Sequence, residues 1–156
     1  MPVRVQTEDF DAGRELAALR DGDHSVGAVA AFIGTVRDVN ADASVASMTL
    51  EHYPGMTENA LAAIIDDAKS RWKIADALVI HRVGALKPAD QIVLVAVTSA
   101  HRGDAFAACE FIIDFLKTRA PFWKKEDTPD GARWVEARAS DDDAAARWRT
   151  PTEPAA

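Results

Sequence analysis

The chain has 156 residues, 48% hydrophobic and 28% charged, with 18 Lys and Arg against 25 Asp and Glu and a net charge of −7. That balance fits a single soluble domain able to bury a core, and it excludes a general nucleic-acid binder, which presents a basic face. No stretch approaches the ~18 uninterrupted apolar residues of a membrane span, the start MPVRVQTEDFD lacks an export pattern, and the single Cys109 leaves no internal disulfide and fits a reducing cytoplasm.

In chain order, TEDFDAGRELAALRDG opens on a candidate cap, Thr7, and closes on Gly22; Phe10, Leu16 and Leu19 give it the apolar stripe of a short helix. VGAVAAFIGTV (26–36) is β-branched and glycine-punctuated, a buried strand ending near Arg37, and RDVNADAS after it is a loop. SMTLEHY (47–53) alternates as a strand until Pro54-Gly55 stops it. Leu61, Ile64, Ile65, Ala68 and Trp72 then share one helical face, with Thr57 as the cap. ALVIHRVGAL and QIVLVAVTS are strands joined by KPAD, a connection short enough to predict an antiparallel hairpin. Ala105, Ala108, Cys109, Ile112, Ile113 and Leu116 mark a second helix, which Pro121 ends by about Arg119. ARWVEAR (132–138) is a last strand. The order α-β-β-α-β-β-α-β is that of an α+β domain over residues 1–140, followed by a polar, flexible tail, 141–156, with at most one amphipathic turn around Trp148.

The four histidines are spread over four segments without metal-ligand spacing, and there is no Walker loop or GxGxxG, so no metal and no cofactor is expected. Cys109 lies on an apolar helix face and reads as a small buried hydrophobe, and Ser99 lacks a nucleophile elbow. His101 and Arg102 fall at a helix N-terminus, where free N–H groups and the dipole favour an anion; a solvated loop arginine with Ser99 as cap is the alternative. Arg37 and Arg138 each end a strand, which suits an ordinary salt bridge as well as a site. KTRAPFWKKE (117–126) is the exception in an acidic chain. It gathers Lys117, Arg119, Lys124 and Lys125 around Pro121, Phe122 and Trp123. The helix dipole accounts for Lys117 but not for Lys124 and Lys125. Cations between aromatic walls suggest a pocket for a flat, anionic small molecule, with a lysine amine available for acid–base or covalent work.

GAVAAFIGTVRD, LEHYPGM, IHRVGAL, TSAHRGDAF, FLKTRAPFWKKE and RWVEAR, in that order over about residues 27 to 138, resemble the MoaE family, the large catalytic subunits of molybdopterin synthase. The resemblance implies an α/β hammerhead with additional antiparallel strands, and no resident cofactor. It implies conversion of cyclic pyranopterin monophosphate (precursor Z) to the dithiolene molybdopterin. Sulfur would come from a thiocarboxylate at the Gly-Gly C-terminus of a small ubiquitin-like carrier subunit, in a heterotetramer with a homodimer of this chain at its core. By motif position Lys117 and Lys124 match the family's important lysines, and Arg37, His101, Arg102 and Arg138 match its anion-site residues, some of them contributed by the neighbouring protomer. Phe32 and Met56 lie in matching segments without an assigned role, Lys125 sits where the family also accepts arginine, and the first 20 residues match poorly. On this reading Lys117 steers the thiocarboxylate and Lys124 serves as general acid or base, with Phe122 and Trp123 as walls. Rival readings of the same cations are a non-catalytic scaffold for an acidic partner, a phosphoester hydrolase and a single-stranded RNA binder; the last suffers from the net charge.

Overall fold

The computed structural model describes residues 2–40, 43–44, 47–129, 131–135 and 139–149. Among these, β1 (Val3–Gln6), α1 (Ala12–Leu19), β2 (Ala28–Thr35), β3 (Val39–Asn40), β4 (Ala43–Ser44), β5 (Ser47–His52), α2 (Met56–Arg71), β6 (Asp76–Arg82), β7 (Gly84–Leu86), β8 (Gln91–Ser99), α3 (Arg102–Arg119), β9 (Phe122–Thr128), β10 (Gly131–Val135) and α4 (Ala139–Ala146) follow one another. The architecture is the expected mixed α+β one. One four-stranded sheet has the order β1-β6-β8-β2 and a second the order β10-β9-β5-β7, while β3 and β4 pair only with each other.

The first sheet is sorted by strand alternation. Ala77 and Val79 of β6 and Val93, Val95 and Val97 of β8 face α2 and α3, where Leu61, Ile64, Ile65, Phe111 and Ile112 complete the main core. Leu78, Ile80, Leu94 and Ala96 face the other way, onto Phe10 and the apolar side of α1. The β6–β8 pair is antiparallel as expected, although the chain between them is longer than KPAD: it runs over residues 83–90 and includes β7. A third cluster of Val36, Met48, Leu50 and Leu86 joins the second sheet to the end of β2.

Several local expectations are corrected. β1 is an element not assigned from the sequence; its four residues pair in parallel with β6, Val3 opposite Val79, a partnership that no local pattern reveals. α1 starts at Ala12, because the Asp11 carboxylate and not Thr7 accepts the Arg14 N–H at 3.1 Å. Thr57 lies inside the first turn of α2, fully buried, with its hydroxyl donating to the Tyr53 carbonyl at 2.9 Å. The cap is Gly55, whose N–H donates to the Glu58 carboxylate. ALVIHRVGAL is not one strand: Gly84, at φ 87°, turns the chain from the first sheet into the second.

The stretch after Pro121 is a strand, β9, central in the second sheet between β10 and β5. Residues 139–146 are helical, and Arg147 and Trp148 after them stay tied to α3. Arg147 donates to Glu110 at 2.7 Å and Asp114 at 2.6 Å, and the Trp148 indole N–H donates to Asp114 at 2.7 Å. Trp148 also packs edge-on against Trp72 and Phe111. Two aromatic contacts and a shared carboxylate hold Arg147 and Trp148 in place; residues 150–156 of the expected tail lie outside the described residues.

Candidate active site

The two sheets meet where three chain segments converge: the end of β2, the last turn of α3 and the middle of β9. A cavity of about 200 Å³ opens at this seam, lined by Thr35, Val36, Arg37, Met48, Ile92, Lys117, Lys124, Glu126 and Asp141. Arg37, Lys117 and Lys124 therefore share one pocket, three cations facing two carboxylates in a chain of net charge −7. Such a site retains a positive balance suited to a small anion.

Strand alternation decides which parts of the cationic segment belong here. Along β9, Lys124 and Glu126 turn to the cavity, and Phe122 falls on the same side at the same spacing. Trp123 and Lys125 are exposed on the opposite side, where Trp123 meets the Tyr53 ring edge-on at 4.4 Å. The expected aromatic wall is not found: Phe122 packs against the main core without lining the cavity, and Trp123 lies on the other face.

Glu126 is buried, 4% exposed, and is a site residue the sequence reading passed over. Its signal was available in the i, i+2 spacing Phe122, Lys124, Glu126, visible once the segment is read as a strand. Asp141, brought in by α4, had no comparable signal.

Beneath the lysines lies His81, at the end of the inward row Ala77, Val79, His81 of β6 and 4% exposed. Its ring stacks on Phe122 at 3.8 Å between centroids and 18° between planes. Its Nδ1 lies 2.8 Å from the Arg82 carbonyl oxygen, which can only accept, so Nδ1 carries the proton. Burial first, opposed by the Arg82 hydrogen bond and aided by the charges of Lys117, His52 and Lys124, brings its pKa down to about 3. It is a neutral imidazole beside two ammonium groups.

His101 and Arg102 lie elsewhere. A strand end and helix start were expected for TSAHRGD, and His101 is the N-cap of α3 with Arg102 its first residue, both exposed. Gly27 permits this junction, since a Cβ there would collide with the Ala100 carbonyl. Ser99 is buried; its hydroxyl donates to the Lys73 carbonyl at 2.8 Å and accepts the His101 N–H at 3.4 Å, a structural role. From Arg102 to Lys117 the axis of α3 runs about 22 Å at 1.5 Å per residue, too far for one small ligand. Within one chain the structure brings Arg37, Lys117 and Lys124 together and leaves His101 and Arg102 apart. Arg138 lies outside the described residues. Cys109 is buried against β8, its thiol pushed up to about 11 by desolvation and then by Glu110.

Fold and pocket define an α+β protein with a cationic cavity between a helix end and a sheet. A family model described as MoaE protein matches residues 5–119. The molybdopterin synthase catalytic subunit of Ralstonia nicotianae is 66% identical over 151 residues, 97% of this chain and 86% of the relative. The solved molybdopterin biosynthesis MoaE protein of Burkholderia ambifaria is 60% identical, with TM-score 0.81 over 94% of this chain and 96% of that one. A solved protein–protein complex of subunits 1 and 2 of the molybdopterin-converting factor of Helicobacter pylori shares the fold at 18% identity, TM-score 0.73, over 88% of this chain and 92% of that one. The chain belongs to the MoaE family, whose matched curated members are catalytic subunits of molybdopterin synthase. The family model stops at 119, before β9, but the Ralstonia match runs on over nearly the whole chain.

Proposed function

We propose that the seam pocket is the reaction site of a molybdopterin synthase. There the chain transfers sulfur from the C-terminal thiocarboxylate of a small ubiquitin-like carrier to cyclic pyranopterin monophosphate. The observation that carries this is the convergence of Arg37, Lys117 and Lys124 on one cavity. Both reactants are anions, and at an effective dielectric near 20 two unit charges ~4 Å apart repel by about 4 kcal/mol. Three cations at one seam offset that repulsion.

Lys117, exposed at the rim on the end of α3, steers the incoming thiocarboxylate and stabilises charge as sulfur attacks the pterin side chain. Lys124, half-buried beside Glu126, is the acid or base for the proton transfers that open the cyclic phosphate and form the ene-dithiolate. Arg37 holds the phosphate. His101 and Arg102 join from a second copy of this chain, as does Arg138 from one of the two, which makes the working unit a homodimer with a carrier on each side. The reaction belongs in the cytoplasm, where the donor and the Cys109 thiol stay reduced.

The test mixes the purified chain with cyclic pyranopterin monophosphate and thiocarboxylated carrier and follows dithiolene formation through its fluorescent oxidation product. Two thiocarboxylates consumed per pterin is the expected result. A carrier that binds without product would favour a scaffold, and neither binding nor product would overturn the reading.

A further inference from the structure

The pocket explains what Arg37, Lys117 and Lys124 face, but not what fixes the two lysines relative to each other. They sit on different elements. Lys117 is on the last turn of α3, Lys124 is the third residue of β9, and the chain between them turns a corner at Ala120-Pro121-Phe122. The corner is tight: α3 ends on the Ala120 N–H bonded to the Leu116 carbonyl, and the Phe122 N–H bonds the Ala120 carbonyl at 2.9 Å. Any rotation of Phe122 about this corner re-aims Lys124, two residues further along the same strand face.

The partner of Phe122 is His81. The ring at position 81 ends a row otherwise made of Ala77 and Val79, in a strand paired on both sides, Val5 on β1 and Val93 on β8. It is therefore anchored on an inner strand of the first sheet, while Phe122 begins β9 of the second. The rings are near-parallel at 3.8 Å, and the Nδ1–H bond to Arg82 removes the freedom of the imidazole to spin. His52, paired with Phe122 across β5 and β9, stands at 6.3 Å, more loosely and tilted. An aliphatic residue would fill this place as well as any if filling were the only task.

We propose that His81 is a positioning residue for the reaction: stacked on Phe122, it locks the corner between α3 and β9 and so sets the spacing of Lys117 and Lys124. The inference rests on the assignment of both lysines to the reaction. It predicts that the flat ring matters more than its charge, because the neutral imidazole acts through Phe122 and touches no reacting atom.

The test compares His81→Ala with His81→Phe under saturating carrier, reading kcat and KM for the pterin together with amide hydrogen exchange. His81→Ala is expected to lower kcat at least tenfold with KM within twofold, and to speed exchange at least tenfold at residues 120–126 while the centre of β8 stays protected. His81→Phe should restore both. A kcat within twofold of the parent in His81→Ala, exchange that rises uniformly or not at all at 120–126, or failure of His81→Phe to rescue would each overturn the proposal. If His81→Ala does not fold, Phe122→Leu removes the stack with His81 in place and must show the same kcat loss; normal kcat there overturns it too. A parent chain without turnover would strike the proposed reaction, and the exchange comparison then decides the positioning role alone.

Discussion

Arg102 begins α3 and Lys117 lies in its last turn, about 22 Å away along the helix axis. A single ligand touched by both must take one from each of two copies. Arg102→Ala and Lys117→Ala chains, each inactive alone, should therefore complement when co-refolded. With random pairing half the dimers are hybrids, and each hybrid keeps one intact site of two, so about a quarter of parent turnover returns. Recovery no greater than the sum of the two variants would show that each chain works alone.

Lys117 and Lys124 are assigned chemistry and not only charge. Lys117→Ala and Lys124→Ala should each lower turnover by roughly 10²–10⁴-fold, the scale of a lost acid–base group, while carrier binding changes only a few-fold. Arginine keeps the charge but is planar and stays protonated. Lys117→Arg together with Lys124→Arg should therefore not restore turnover in a single-turnover assay. A double arginine variant with parent turnover would show that both lysines act through their charge alone.

His81 gives the fold a specific acid sensitivity. Its pKa is lowered to about 3 in the native chain against an ordinary value of 6.5. Below pH 6.5 the unfolded chain binds a proton that the folded chain refuses, so stability rises with pH across the window from about 3 to 6.5 and is lost as pH falls through it. The slope from this one group is up to about 1.4 kcal/mol per pH unit. Urea titrations at pH 5.0 and 6.5 should show it in the parent and not in His81→Phe. Equal slopes in the two would mean that His81 is not held neutral.

Cys109 should be inert. A thiol pushed up to about 11 by burial is thiolate at only about one part in a thousand at pH 8. A disulfide exchange reagent at pH 8 should leave the native chain unlabelled over minutes and find one thiol after denaturation. Rapid native labelling would show that the α3–β8 contact opens.

The core was legible because it is written in local periods. Leu61, Ile64, Ile65 and Ala68 repeat as a helix and Val93, Val95 and Val97 as a strand, and the structure uses both as read. What escaped was held by distant partners. Val3–Gln6 is a strand only because β6 lies beside it, and Phe122–Thr128 is a strand although its charges and the preceding proline resemble a loop. The same omission hid Glu126 and put Trp123 on the wrong face. The motif resemblance reached Lys117, Lys124 and Arg37 directly, but only the length of α3 shows how far His101 and Arg102 stand from them within one chain. His81 looked like one more strand residue until its ring was found flat against Phe122.

Strain is stored in the turn that braces Arg37. Ala89 has φ 76°, a left-handed conformation that costs an L-residue with a Cβ roughly 1–2 kcal/mol. The turn keeps it because the Ala89 N–H donates to the Val36 carbonyl at 2.9 Å, while the Val36 N–H donates to the Asp90 carbonyl at 2.9 Å, one residue before Arg37. Ala89→Gly relieves the strain, yet it adds about 0.4–1 kcal/mol of chain entropy to the unfolded state. The net gain is about 0.5–1 kcal/mol, or roughly 2 °C in Tm for a chain of this size. Neither hydrogen bond involves a side chain, so turnover should stay at the parent level. Gly84→Ala, at φ 87°, is the mirror experiment and should lower Tm by at least as much. If Ala89→Gly lowers Tm, the turn is not strained and the brace on Arg37 must come from its hydrogen bonds alone.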